Sequence, residues 1–385
     1  MLESRWVRWV GPGVIAVAAV GSLATLASGA SPAPWTPSRC ATGGDRVAAA
    51  RTTDPARPDQ LRLAPWYRVD PRLDRSGTLA GQRLSLGTDG ARASHFVDLP
   101  AESFAAGPFG RLILVGRDDG VTSTLAAIDA AAGCAIALTT EPSVIRRATI
   151  DPGGTTVYEM RVDRATRADL GIWSAPLDGT RPAVQVLGPI EPDDRFGPTF
   201  STEFAWDASN AHLAVQSCGE SFCRVRVLDP ASGAATTVDD PDLGSMVGLD
   251  RDRLVAYEAC PGLPCPIVAI DVPTGERQVL ADAASVAVVV ATADGARLVH
   301  EVLDASGIGL RSVALDGSAS ADLGRLADGL RLQPDARLAE AATRVPTGFV
   351  LVTPEGRIGA GGPGQQTLLR HVPDGASVQL QEAIR

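Results

Sequence analysis

No lysine occurs in this chain, and asparagine occurs once, at Asn210; all 35 basic residues are arginine. A choice so one-sided follows the bias of a GC-rich coding sequence, so the missing lysine excludes no chemistry by itself. Histidine is nearly as scarce, with His95, His212, His300 and His371 scattered along the sequence. That scatter excludes an H-E-x-x-H zinc site, and neither G-x-S-x-G nor a glycine-rich phosphate loop is present. A basic stripe is also missing. With a net charge of -10 and a pI near 5.0, a nucleic-acid partner is excluded, because phosphate binding needs clustered positive charge. Beyond residue 30 no apolar run is long enough to span a bilayer.

What is present begins at the N-terminus. Arg5 and Arg8 precede an uncharged run, "WVGPGVIAVAAVGSLATLASGA", that ends at Ala30. A positive flank before an apolar run directs export. Ser28 and Ala30 suit cleavage before Ser31, and the run is equally long enough to remain as an anchor. Either outcome places residues 31 onward outside the cytoplasm, secreted or held by the N-terminal segment. The first cysteine, Cys40, follows "TPSR" rather than small apolar residues, which argues against lipid attachment.

The rest is repetitive. An Asp- or Gly-containing turn recurs as "AGPFG" at 106, "IDPGG" at 150, "WDASN" at 206, "LDRDR" at 249, "TADG" at 292, "QPD" at 333 and "VPDG" at 372. A second series runs "GTDG" at 87, "IDAAAG" at 128, "LDG" at 177, "LDPASG" at 228, "IDVPTG" at 270, "LDG" at 315 and "PEG" at 354. The Asp side chain accepts bonds from turn amides, and Gly takes positive φ without a Cβ clash. Between the turns lie short β-branched strands; "SVAVVVATADG" is nearly all apolar, whereas "CRVRVLD" alternates. Four strands per unit of about 43 residues is the pattern of a propeller blade.

These readings predict an all-β fold, a β-propeller of seven four-stranded blades with six as the alternative. Residues 1–30 would be the signal peptide or membrane anchor, 31–78 an irregular arm, and 79–385 the propeller. The arm includes "DPARPDQ" and "DPRLDRSG", which read as loop. Because the last unit holds only an inner pair and the first only an outer pair, Thr367–Val372 is expected to begin a blade that Gln82–Gly87 and Ser94–Leu99 finish. On "DGARLVHEV" at 294, "DASNAHLAV" at 207, "LDPASG" and "IDVPTG", residues 79–385 resemble the Tol-family and WD-repeat-like bacterial propellers. The resemblance implies a fold and not a substrate.

Two C-x4-C pairs, Cys218 with Cys223 and Cys260 with Cys265, recur at an offset of 42 residues and fall between second and third strands. A disulfide across so short a loop is geometrically easy, and in an exported chain it is favoured over four thiolates converging on zinc. Cys40 and Cys134 then remain as the third pair, strapping the arm to the first full blade.

Two classes of function stay open. The first is a non-catalytic binding or scaffold module of the cell envelope with a protein, peptide or glycan partner, monomeric, with no cofactor. The second is an exported hydrolase or lyase with its site at the propeller channel. A weaker third reading takes "AIDVPTGERQV" at 269 as a quinone-cofactor repeat, but Val279 and Thr237 occupy the positions that cofactor's tryptophans would need. Loops between second and third strands and between blades emerge on one face, which would carry Arg117, Asp118, Asp119, Arg161, Asp163, Arg164, Arg167, Asp169, Glu191, Asp193, Asp194 and Arg195. Such a surface suits carboxylates or amides through arginine forks, or a cation through Asp oxygens, although no spacing matches a calcium loop; no metal is therefore expected.

Overall fold

The computed structural model describes residues 33–34, 38–40, 66–87, 95–109, 112–129, 132–190, 200–207, 211–218, 223–292, 295–305, 307–325, 332–333, 349–352, 357–361 and 368–371. The N-terminal run expected to be a signal or anchor lies outside them. Among the described residues no helix is long and apolar enough to cross a membrane.

Everything described is strand or turn, gathered into seven sheets in chain order. The first contains Trp66–Leu73, Leu79–Gly87 and His95–Leu99; the second Phe104–Phe109, Leu112–Asp118, Ser123–Asp129 and Cys134–Glu141. The third runs through Val144–Ile150, Thr156–Val162, Asp169–Pro176 and Val184–Leu187, and the fourth through Phe200–Trp206, Leu213–Cys218, Cys223–Leu228 and Ala235–Val238. Leu243–Asp250, Arg253–Glu258, Cys265–Asp271 and Arg277–Ala284 make the fifth; Ala287–Thr292, Gly295–Asp304, Gly307–Ala314 and Ser320–Arg325 the sixth. The seventh holds Leu332–Gln333, Phe349–Val352, Arg357–Gly361 and Leu368–His371. The first strands of successive sheets touch along the whole series. The second to sixth sheets each hold four antiparallel strands in chain order, the first holds three, and in the seventh Leu332–Gln333 runs parallel to Phe349–Val352; such sheets meeting at their first strands are the build of a β-propeller.

The core lies between sheets. Leu112, Leu114, Leu125, Ile145, Ile150 and Val157 form one cluster across the second and third sheets, and Val225, Leu243, Leu249, Leu254 and Ile270 another across the fourth and fifth. Second strands are buried on both faces, as in Leu112–Val115, which explains their unbroken apolar run. The turns at 228 and 270 form for the predicted reason: Asp229 accepts from Ala231 N–H at 2.8 Å and Asp271 from Thr274 N–H at 3.0 Å; those at 87, 292, 333, 354 and 372 lie partly or wholly outside the described residues. Gly233 and Gly275 close the turns at 228 and 270 with φ 73°.

Polar residues on second strands tie four of the sheets to the one that follows. Gln82 donates to the Ala101 and Ser103 carbonyls at 2.7 and 2.8 Å. Buried Gln216 donates to Gly244 O at 2.8 Å and accepts from Met246 N–H at 3.2 Å. The Tyr257 oxygen bonds the backbone of Ala287, and Glu301 accepts from Leu332 N–H at 2.7 Å. Each link joins a second strand to the first strand, or the lead-in to it, of the following sheet.

Two expectations are corrected. "DPRLDRSG" is a hairpin, not a loop: Asp70–Leu73 ends a strand paired with Leu79–Gly87, and Asp74 caps the turn by accepting from Ser76 and Thr78 N–H at 2.8 and 2.9 Å. Nor do the chain ends pair as expected. Gln82–Gly87 lies between Trp66–Leu73 and His95–Leu99, so both its edges are filled, while Leu368–His371 pairs with Arg357–Gly361. The N-terminal segment instead adds short parallel strands, Ala33–Pro34 along His95–Phe96 and Ser38–Arg39 along Cys134–Ala135.

All six cysteines are paired, Cys40 with Cys134, Cys218 with Cys223, and Cys260 with Cys265. Cys218 and Cys223 lie directly opposite at the hairpin end that joins second to third strand.

Candidate functional site

A cleft of about 390 Å³ opens where three loops meet, lined by Pro100, Ala101, Glu102, Asp118, Gly120, Arg164 and Arg167. Pro100–Glu102 connects the first sheet to the second, Asp118–Gly120 belongs to the second-to-third-strand turn of the second sheet, and Arg164–Arg167 to the same turn of the third. The two loop types predicted to share a face do so here.

At its floor is Asp118, buried at the end of its strand. Arg164 grips it with a two-pronged fork, Nη1 to Oδ1 at 2.8 Å and Nη2 to Oδ2 at 2.9 Å, reaching across 46 residues. Ser123 Oγ donates to Oδ2 at 2.5 Å and Gly120 N–H to Oδ1 at 2.7 Å. The fork outweighs desolvation and, with the Ser123 and Gly120 bonds, holds the carboxyl down at about 2. Arg164 Nε also donates to Pro142 O at 3.0 Å.

At the lip the balance differs. Arg167, at φ 61° in its turn, donates through Nη2 to both oxygens of Glu102 at 2.7 and 3.0 Å. Both partners are solvent-exposed, 44% and 54% for the side chains, so water competes for each and the pair is weak.

The remaining predicted residues have other duties. Asp119 accepts from Val121 and Thr122 N–H at 2.9 and 2.7 Å, and Asp163 from Ala165 and Thr166 N–H at 3.0 and 2.7 Å; both cap the turns that bound the cleft. Arg161 is buried: it pairs with Glu159, meets Glu141 at 2.9 Å and stacks on Trp173 at 4.2 Å. Glu159, buried as well, is pushed above the usual carboxylate range by desolvation, which outweighs the pull of Arg161. Asp169 accepts from Gly171 and Ile190 N–H at 2.9 and 3.2 Å, away from the cleft, and Arg117 is exposed on its strand. Glu191, Asp193, Asp194 and Arg195 lie outside the described residues. Among the described residues no group of three His, Cys, Asp or Glu could hold a metal ion. His212 bonds Asp252 at 2.9 Å, and His300 is buried with Nδ1 3.2 Å from Glu301 O.

Sequence reading missed Glu102 and, within electrostatic reach of it, Arg146. Glu102 sits in a blade connector, which the same-face rule could have included. Arg146 stands in "SVIRRATI", where two arginines interrupt a first strand that the sixth sheet fills with "AVVVAT".

No family model and no curated protein matches this chain. Among solved structures it is similar to TolB from Acinetobacter baumannii, with 12% identity and a TM-score of 0.40, covering 67% of this chain and 62% of that one. A puromycin-hydrolyzing peptidase of Mycobacterium tuberculosis aligns at 15% identity and a TM-score of 0.43, over 88% of this chain and 55% of that one. An uncharacterized protein of Listeria monocytogenes aligns at 9% and 0.41, over 70% and 81%. The chain thus spans less than two thirds of both the TolB and the peptidase chains. The sheets themselves carry the fold assignment, and these similarities add no function to it.

Proposed function

We propose that this chain is an exported, non-catalytic propeller of seven blades that serves as a binding or scaffold module of the cell envelope. The observation that carries the reading is the cleft: polar, loop-built, on one face, with a rigid fork at its floor and a loosely paired arginine at its lip. Its location is supported by three disulfides that use every cysteine, a state favoured outside the cytoplasm, together with the arginine-flanked apolar run at the N-terminus. The partner is a protein, peptide or glycan of the envelope. The opposite face offers tight Asx turns such as Asp229–Gly233, too short to build a pocket.

A photo-crosslinking residue at Val121, 74% exposed beside the cleft, should form an adduct in intact envelopes. The same residue at Ala231, on the opposite-face turn, should form none. Equal adducts from both positions, or none from Val121, would remove the cleft as the binding face.

A further inference from the structure

The third sheet's first strand, Val144–Ile150, carries a β-bulge: Ile145 lies opposite Arg161 and Arg147 opposite Met160, so Arg146 is the extra residue. Bulges re-aim a side chain, and here the bulge falls two residues from the strand's loop-face end, where Val144 pairs with Val162 just before the Arg164 turn. Arg146 is exposed, and among the described residues neither its side chain nor that of Arg147 makes a hydrogen bond or ion pair. It nevertheless stands within electrostatic reach of Arg167, Glu102, Arg147 and Asp118. Partial desolvation against the strand, then the nearby Arg167 charge, lowers its hold on its proton.

The cleft is lined by Arg164 and Arg167 against Glu102 and Asp118, with Arg146 within electrostatic reach of Arg167 and of both carboxylates, and Asp119 and Asp163 cap its bounding turns. Arg164 is committed to Asp118, and Asp119 to its own turn. That leaves Arg146 free and Arg167 held only by the exposed Glu102. A guanidinium fork matches a planar carboxylate with two parallel bonds. Pro100, Ala101 and the exposed Val121 supply apolar footing beside the charges, which suits a peptide chain.

We propose that the cleft binds a peptide carboxylate, anchored by the unpaired Arg146 and by Arg167, with Glu102 acting as an internal competitor that the ligand displaces. This rests on the binding-module reading and names its ligand. The test is a calorimetric titration of the full-length, disulfide-bonded chain with three peptides: N-acetyl-Ala-Ala-Ala as the free acid, the same peptide as its amide, and N-acetyl-Ala-Glu-Ala amide. At least one carboxylate peptide should bind about tenfold or more tightly than the neutral amide, and the stronger of the two tells a chain terminus from a side chain. Arg146→Ala should lose that preference with an unchanged melting temperature, since Arg146 bonds to nothing in the chain; Arg146→Lys should lose part of it. Glu102→Gln should move affinity the other way, strengthening binding several-fold. Equal binding of acid and amide, tighter binding of inorganic phosphate than of either acid, or no effect of Arg146→Ala would overturn the assignment. Should the Val121 adduct form while the peptides fail, the binding module stands and only the carboxylate falls.

Discussion

Asp118 shows how one carboxylate can be a structural post inside a functional site. Its partners are unequal: it is buried, whereas Arg164 retains contact with water. Removing the arginine strands a buried charge, and removing the charge merely frees an arginine that solvent can reach. Arg164→Ala should therefore cost more stability than Asp118→Asn, whose amide oxygen still accepts from Gly120. Urea denaturation of both variants checks the order. The pH dependence has a definite sign. With the folded carboxyl depressed to about 2, its stabilisation is full above the unfolded value near 3.8 and disappears as pH falls through about 2. The stability gap between wild type and Asp118→Asn should hold at pH 6 and shrink toward pH 2; a gap independent of pH would deny the charge any role. Reading the sequence was enough to put Asp118 and Arg164 on one face. It could not show that they grip each other, because nothing local relates residues 46 apart.

Elements were legible wherever their cause is local. An Asx turn is made by one side chain and the amides beside it, so turns such as those of Asp151, Asp229 and Asp271 could be read directly, and with them the strands they join. The strand Trp66–Leu73 was hidden because Asp70 and Pro71 resemble a turn. Proline is tolerated there because the strand is the edge of its described sheet, where a missing N–H breaks no ladder. The seam residues were hidden for a different reason: a polar side chain in an apolar run declares itself, but its partner lies on the next sheet. Gln216 satisfies a carbonyl and an amide of the strand that follows, both in the interior. Gln216→Leu keeps the volume and removes both bonds, and should destabilise the chain by about 2–3 kcal/mol in urea without altering secondary structure by circular dichroism. A neutral result would mean that water takes over the seam.

At the scale of the whole molecule the sheets are tied by covalent as well as backbone links, and these differ in reach. Cys218–Cys223 and Cys260–Cys265 each close a loop of sequence separation 5, whereas Cys40–Cys134 spans 94 residues and two sheets. The pairing could be read from the sequence because short C-x4-C hairpins account for four thiols. The route of the strap could not, since parallel strands of two residues carry no pattern. In the chain-entropy picture the cross-link over 94 residues stabilises by about 4–5 kcal/mol and each short one by about 2 kcal/mol, because longer loops restrict the unfolded chain more. The folded state adds to the difference: Ser38–Arg39 lies along Cys134–Ala135, and Cys40 N–H donates to Ala135 O at 3.3 Å, so loss of the strap also bares the second sheet's outer edge. The double variant Cys40→Ser, Cys134→Ser should thus lose roughly twice the stability of Cys218→Ser, Cys223→Ser in urea. It should also be the more prone to self-association by light scattering. Equal losses from the two variants would mean that the strap neither restrains the unfolded chain nor guards the edge, and that the first two sheets hold together through Gln82 and the apolar cluster of Leu84, Leu86, Ile113 and Val115 alone.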